Sequence, residues 1–382
     1  MPIYKMDGKK DGLQKYRVRI NYIDKAGKSR QLDRVAYGAQ AAKELERQLM
    51  STPEETTAAK ISLADLYKEY LSSKKGEVRE TTLEKKKQMI EKFVLPALGN
   101  TKVDKLSAPA LQKWKNGLSE AKSKKGTLYS LTYKNNVYKA FSGLLNYAVK
   151  MEYIKANPLH NVGSFRDVNI TQKKKMDYYT ADEFKRYISS AKARAEGDEK
   201  KGKITGWSFY TFFMIAFYTG MRKGEINALT WNDIDNDIIH IQRSIAQKLK
   251  GGDRETAPKN ASSVRDLQIP IPLKTALEDH HNRCKVIEGF TDEWRVCGGI
   301  RCLRDTTIDK RNRAYADAAG LKHIRIHDFR HSHASVLINE GINIMEIARR
   351  LGHSDVEVTW NTYAHLYPRE EDRALKILNE IV

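Results

Sequence analysis

Residues 327–363 read HDFRHSHASVLINEGINIMEIARRLGHSDVEVTWNTY, and the polar positions in this stretch decide the fold class. His327 stands three residues before Arg330, a spacing that puts both side chains on one side of a predicted helix. His353 follows the run RRLG, and Tyr363 comes ten residues after His353. Each pattern alone has an ordinary explanation, because a histidine or tyrosine among apolar helix residues usually packs into a core.

A further pattern, TGMRKGEINALTW, lies upstream at residues 219–231. It places Arg222 just after a glycine and after the apolar segment 207–218, which predicts a buried helix. The ordinary explanation of Arg222 is an ion pair with Glu225, three residues further along the chain. Only the combination of this pattern with those downstream indicates a function.

Together the patterns resemble the tyrosine recombinase family, whose phage integrases carry Arg, Lys, His-x-x-Arg, His and Tyr in this chain order. The matching positions are Arg222, Lys259, His327, Arg330, His353 and Tyr363. The resemblance covers residues 175–370 approximately. It implies a site-specific DNA recombinase, an integrase that cleaves and rejoins strands through a 3′-phosphotyrosyl intermediate and so integrates and excises a mobile element. No cofactor and no metal are expected, because arginines take the place of a metal.

The family's mechanism assigns a role to each of these side chains. Arg222 and Arg330 would bind the non-bridging oxygens of a DNA phosphate and offset the extra charge of the pentavalent transition state. Tyr363 would attack phosphorus. A phenol has a pKa of about 10, so a base would help, and His327 is the candidate base. His353 would donate a hydrogen bond to a phosphoryl oxygen.

The acid that protonates the leaving 5′-oxygen is assigned to Lys259, in the segment APKNASS at residues 257–263. This segment lies between two predicted strands, in a hairpin where the family's lysine stands. Lys248 and Lys250 are near it in the sequence and could supply the same proton.

A second tyrosine competes for the role of nucleophile. Tyr367 lies four residues after Tyr363 and directly before Pro368. The family places its tyrosine about nine or ten residues after the second histidine, which favours Tyr363. Tyr367 is expected to pack instead.

The distribution of charge indicates a polyanionic partner. The chain has 382 residues and a net charge of +20, and residues 59–174 hold 23 Lys and Arg against 10 Asp and Glu. That segment therefore contributes +13 of the total. Because the excess is concentrated in one segment, we expect double-stranded DNA as the partner and this segment as its main backbone clamp.

Composition and pattern predict a multidomain fold. Residues 1–58 form a small three-stranded β-sheet plus a helix, residues 59–174 are all helical, and residues 175–382 are mixed but mainly α, of the tyrosine recombinase type. The first two segments resemble the family's arm-site and core-site DNA-binding domains. In the second predicted strand, apolar residues alternate with Arg17, Arg19 and Asn21, so the sheet could enter a DNA groove or could be a structural cap.

The sequence argues against a membrane-spanning or secreted protein and against a zinc site. The most apolar stretch, residues 209–218, is too short to span a bilayer, and MPIYKMDGKK has no apolar signal core, so a cytoplasmic protein is expected. The three cysteines, Cys284, Cys297 and Cys302, lack a second ligand pair for zinc and are expected to be free thiols.

Two alternatives to an integrase stay open: a relaxing topoisomerase with the same chemistry, and a DNA-binding regulator that retains the fold without activity. The complete set of six polar residues argues against the regulator. For the integrase, the resemblance implies core-type and arm-type DNA sites and a homotetramer on synapsed DNA. It also allows accessory DNA-bending or excision proteins.

Overall fold

The strands and helices of the computed structural model fall into two units, Met1–Thr171 and Gln172–Val382. The structure describes residues 3–23, 29–51, 61–166, 176–247, 252–256, 261–367, 375 and 378–381. The boundary between the units lies close to residue 175, the expected start of the third domain. The expected boundary at residue 58 falls outside the described residues, so the division into three domains stays a prediction.

The first unit begins with a three-stranded antiparallel sheet. Its strands, in the order β1-β2-β3, are followed by a helix: β1 (Ile3–Lys10), β2 (Leu13–Ile23), β3 (Ser29–Tyr37) and α1 (Ala39–Ser51). Val18 of β2 is fully buried with Ala42 of α1. Its neighbour Arg19 lies on the opposite face, where it pairs with Asp33 of β3 at 2.8 Å. The alternation predicted from the sequence is confirmed, with one apolar face under the helix and one polar face.

The rest of the first unit is helical. Its helices are α2 (Leu63–Lys74), α3 (Glu80–Phe93), α4 (Leu95–Leu98), α5 (Ala108–Glu120) and α6 (Leu131–Lys150). Three of them begin at a serine whose hydroxyl accepts a backbone N–H of the first turn, namely Ser62, Ser107 and Ser130. Phe141 and Leu144 of α6 are fully buried with Leu66 of α2. This helical fold is the one that the sequence predicts for the segment.

In its described residues, the second unit is mainly α-helical with two small sheets. Its helices are α7 (Ala181–Glu199), α8 (Thr205–Thr219), α9 (Lys223–Ala228), α10 (Ile271–Lys285), α11 (Asp305–Ala318), α12 (Asp328–Asn339), α13 (Ile344–Leu351) and α14 (Val356–Tyr363). One sheet has the order β4-β5-β8, with β4 (Ile234–Asp235), β5 (Ile238–Ile241) and β8 (Arg265–Gln268). The second pairs β6 (Ser244–Ala246) with β7 (Arg254–Thr256), two strands that the sequence analysis did not predict.

Helix α8 is apolar on every side and forms the centre of this unit. Phe212, Phe213 and Ile215 are fully buried, and burial of each such side chain contributes about 1.5–3 kcal/mol. The helix ends at Gly220, whose φ of 64° is left-handed. A Cβ at this position would lie 2.8 Å from Cδ2 of His333 in α12. Gly220 therefore lets the chain turn close to α12 and sets the position of Arg222.

The structure also bears on the cysteines and on the possibility of a membrane span. The three cysteines are free thiols, as the sequence predicts, and the structure shows that all three are buried. Among the described residues, no helix is long and apolar enough to cross a membrane.

Candidate active site

A cavity of about 420 Å³ in the second unit collects most of the side chains singled out from the sequence. It is lined by Arg222, His327, Arg330, His331, Gly352, His353, Ser354, Val358, Thr362 and Tyr363. Five of the six predicted site residues are in this set. The sixth, Lys259, and its alternatives Lys248 and Lys250 lie outside the described residues.

Arg222 enters the cavity from the turn between α8 and α9. Its Nη1 lies 2.8 Å from Oε1 of Glu225, and its backbone N–H donates to Oε2 of the same carboxylate at 2.9 Å. Nη2 also lies 3.4 Å from the carbonyl oxygen of Gly352. The ion pair between Arg222 and Glu225 that the sequence suggested is therefore present. It fixes the guanidinium of Arg222 at the cavity wall.

Arg265 of β8 is a member of this network that the sequence analysis missed. Its Nη2 lies 3.1 Å from Glu225 Oε2, and its Nε donates to the carbonyl oxygen of Arg350 at 2.7 Å. Burial raises the pKa of Glu225, but the guanidiniums of Arg265 and Arg222 outweigh that effect and leave it below its usual range. Glu225 is therefore ionised, and one carboxylate is shared between two arginines.

Arg330 of α12 is 3% exposed. Its Nη1 donates to the carbonyl oxygen of Gly220 at 2.8 Å, and its Nη2 donates to that of Leu351 at 2.6 Å. Burial, followed by the charge of Arg222, lowers the pKa of Arg330 to about 9, so it stays protonated at neutral pH. Three arginines and a single carboxylate give this wall of the cavity a net positive charge, which suits an anionic ligand.

His353 follows the end of α13 and is held by a residue of α14. Its Nδ1 lies 2.7 Å from the hydroxyl of Thr359, which is fully buried. Burial, then the charge of Arg330, lowers the pKa of His353 to about 4, so the ring is neutral at pH 7. If the hydroxyl donates to Nδ1, then Nε2 carries the ring proton and His353 can donate a hydrogen bond from it.

Tyr363 ends α14 and is 1% exposed. Its hydroxyl lies 2.6 Å from Nδ1 of His331, a histidine of α12 to which the sequence analysis gave no role. Burial raises the pKa of Tyr363 to about 12, although Arg330 opposes the shift. His327, the candidate base, lies beside His331, with 5.1 Å between their ring centroids.

Tyr367, the rival nucleophile, has other neighbours. Its hydroxyl donates to the carbonyl oxygen of Ile342 at 3.2 Å, and its ring lies 6.2 Å from that of Trp360. It is absent from the set of described residues that line the cavity.

Sequence comparison finds two matching families. The phage integrase family matches residues 178–370, and the N-terminal SAM-like domain of phage integrases matches residues 62–119. The ICEBs1 integrase of Bacillus subtilis (strain 168) is 29% identical over 365 residues, which cover 91% of this chain and 92% of that protein. The transposase from transposon Tn916 of Enterococcus faecalis is 23% identical over 324 residues, 80% of this chain and 74% of that protein.

Structural comparison finds the same fold. The integrase of transposon Tn1549, in complex with transposon right end DNA, has a TM-score of 0.63 at 18% identity, covering 84% of this chain and 99% of its own. A lambda integrase dimer bound to a COC′ core site has a TM-score of 0.55 at 15% identity, covering 97% of this chain and 95% of its own. These likenesses confirm the predicted fold class.

Proposed function

The chain belongs to the phage integrase family of tyrosine recombinases, enzymes that cleave and rejoin DNA, and we propose that Tyr363 is the nucleophile with which it does so. It is a site-specific recombinase of the kind that integrates mobile elements. One observation carries the proposal: Arg222, Arg330, His353 and Tyr363 line a single cavity of about 420 Å³. Those four side chains supply two guanidiniums, a hydrogen-bond donor and a nucleophile.

The arginines would prepare the phosphate for attack. A phosphodiester repels nucleophiles because it carries a negative charge, and that charge grows in the pentavalent transition state. Arg222 and Arg330 are held by Glu225 and by backbone carbonyls, so their guanidiniums need little rearrangement when a phosphate binds. Bidentate hydrogen bonds from such fixed groups stabilise the transition state more than mobile side chains would.

Tyr363 would then form the covalent intermediate. The bond between its Oη and phosphorus forms while the bond between phosphorus and the 5′-oxygen breaks, which leaves protein joined to a DNA 3′-end. The 5′-oxygen takes up a proton, and Lys259 is the proposed donor. Because the phosphotyrosine retains the energy of the broken bond, another 5′-hydroxyl can reverse the step without ATP.

Double-stranded DNA is the proposed partner. The net charge of +13 in residues 59–174 supports binding to the DNA backbone, and the Tn1549 and lambda integrases have been solved with DNA. A lambda integrase tetramer has been solved on a Holliday junction, which supports a homotetramer for this chain also. Core-type sites would bind the second expected domain, and arm-type sites the sheet of residues 1–58.

A strand-exchange assay tests the proposed function against that of a topoisomerase. Two labelled duplexes that carry the ends of the source element should yield recombinant strands in the presence of the full chain. Relaxation of supercoiled plasmid without any recombinant product would favour the topoisomerase. Binding without cleavage would favour the regulator.

Thr359 provides a prediction about His353. Thr359→Val keeps the branched shape but removes the hydroxyl beside Nδ1, so the ring proton of His353 is no longer directed to Nε2. Single-turnover cleavage of a nicked duplex should slow about tenfold or more, the loss expected for one weakened hydrogen bond to the transition state. Thr359→Ser should restore the rate. Equal loss in both variants, at unchanged melting temperature, would contradict the assignment.

The N-terminal sheet provides another prediction. Removal of residues 1–58 should abolish binding to arm-type sites and leave cleavage of core sites within about threefold of the full chain. The reason is that the helical core of the first unit and the cavity are each built from residues beyond 58. Gel-shift and cleavage assays on separate arm and core duplexes measure the two effects. Loss of core cleavage in the truncated chain would show the sheet to be structural.

A further inference from the structure

The hydroxyl of Tyr363 is hydrogen-bonded to the side chain of His331. The 2.6 Å between Oη and Nδ1 is short for a neutral pair. His331 belongs to α12, one position after Arg330, and lines the same cavity. In the tautomer of His331 whose proton lies on Nε2, Nδ1 carries a lone pair and the phenol donates to it, which is the direction that proton abstraction requires.

The other histidines of the cavity are engaged differently. His353 has its Nδ1 bonded to Thr359. His327 lies with its ring at 85° to that of His331, at 5.1 Å between centroids, while the ring of His331 in turn lies 5.6 Å from that of Tyr363. His331 is thus the histidine in hydrogen-bond contact with the nucleophilic oxygen.

We propose that His331 accepts the proton that Tyr363 loses when it attacks phosphorus. The proposal rests on the proposed role of Tyr363 as nucleophile. In this step the Oη–H bond breaks and its proton moves to Nδ1 of His331 as the Oη–P bond forms and the P–O5′ bond breaks. The 5′-oxygen receives a different proton, from the acid. When the strand is rejoined, His331 returns its proton to Tyr363.

Burial and the charges around His331 keep its ring unprotonated before the step. Burial, followed by the influence of His327, lowers the pKa of His331 to about 4, so the ring is neutral at pH 7 and one of its two nitrogens carries a lone pair that can accept a proton. Arg325 and Arg330 also disfavour a charged ring, whereas Asp328 favours one. The phenol becomes much more acidic while its oxygen bonds to phosphorus, so the proton moves during attack rather than before it.

The alternative is that His331 only positions Tyr363. His331→Asn separates the two roles, because the amide oxygen of asparagine can accept the same hydrogen bond but cannot take the proton. His331→Ala removes both functions. The exposed His323, paired with Asp317 outside the cavity, provides the matched control His323→Asn.

The experiment is single-turnover cleavage by the full chain on a nicked duplex from the source element, with a bridging 5′-oxygen or 5′-sulfur. His331→Ala and His331→Asn should both cleave about 10²- to 10⁴-fold more slowly than wild type at pH 7 on either substrate. The reason is that a sulfur leaving group removes the need for an acid but not the need for a base. Their rates should rise about tenfold per pH unit from pH 7 to 9, since hydroxide must ionise the phenol. The wild-type rate should stay flat, and His323→Asn should match it.

Several results would overturn the proposal. A near wild-type rate for His331→Asn would reduce His331 to a positioning residue, and rescue by sulfur would make it an acid. If His327→Asn shows the full defect and the pH dependence while His331→Asn does not, His327 is the base. Covalent adduct formation by Tyr363→Phe would instead refute the proposed nucleophile, so the two failures are distinguishable.

Discussion

Tyr363→Phe is expected to form no covalent adduct with DNA and still to bind it. The substitution removes only the hydroxyl, the atom that would attack phosphorus, so cleavage of a nicked suicide substrate should fall at least about 10⁴-fold. The protein also loses the hydrogen bond to His331, at a cost of about 1 kcal/mol in the free energy of unfolding. Denaturing gels measure the adduct, and gel shifts at matched concentrations measure DNA binding.

Tyr367→Phe is the matched control. It removes a hydroxyl bonded to the carbonyl oxygen of Ile342, outside the cavity, so adduct formation should stay within about twofold of wild type. The assignment of the nucleophile is wrong if Tyr363→Phe still forms the adduct and Tyr367→Phe does not.

Local patterns in the sequence predicted much of the fold. Apolar residues at helical spacing predicted that residues 59–174 are helical, and in the structure Ser62, Ser107 and Ser130 cap three of these helices. The apolar run before Gly220 is a buried helix because no polar face exists to turn toward water. The strands β6 and β7 were missed because each has three residues, too few for an alternating pattern.

The site was predicted in part, since the sequence identified residues that line the cavity but not the residues that hold them. Arg265 shares the buried face of β8 with Leu267, an inward position for a charge that could have revealed it. Thr359 carried no signal, because its role depends on how α14 lies beside His353. His331 was visible in the run HDFRHSH, yet only the structure distinguishes its contact from that of His327.

Buried arginines explain why the cavity suits a phosphate. Arg330 is 3% exposed and Arg265 is 8% exposed, and burial of such charges is costly unless opposite charges or dipoles compensate. Glu225 offsets one charge, and backbone carbonyls receive the remaining hydrogen bonds of Arg330. A bound phosphate would complete the compensation, so part of its binding free energy comes from relief of repulsion between the arginines.

Arg222→Ala should therefore slow cleavage about 10³- to 10⁵-fold, the range found when an arginine that stabilises phosphoryl-transfer charge is removed. Glu225 keeps its partner Arg265, so the fold should tolerate the change better than loss of the more buried Arg330. Arg222→Lys keeps the charge but loses the planar fork, and should remain at least about tenfold slower than wild type. Single-turnover cleavage on the nicked duplex measures both variants.

The neighbouring Lys223 provides a matched control for Arg222. It carries the same charge one residue later but pairs with Asp305 and does not line the cavity, so Lys223→Ala should cleave within about threefold of wild type. A 5′-sulfur leaving group should not rescue Arg222→Ala, because in the proposed role the arginine would stabilise charge on the non-bridging oxygens rather than on the leaving oxygen. Rescue by sulfur would transfer Arg222 to the role of acid. Equal defects in Lys223→Ala and Arg222→Ala would mean that the turn acts through its charge alone and not through a guanidinium fixed by Glu225.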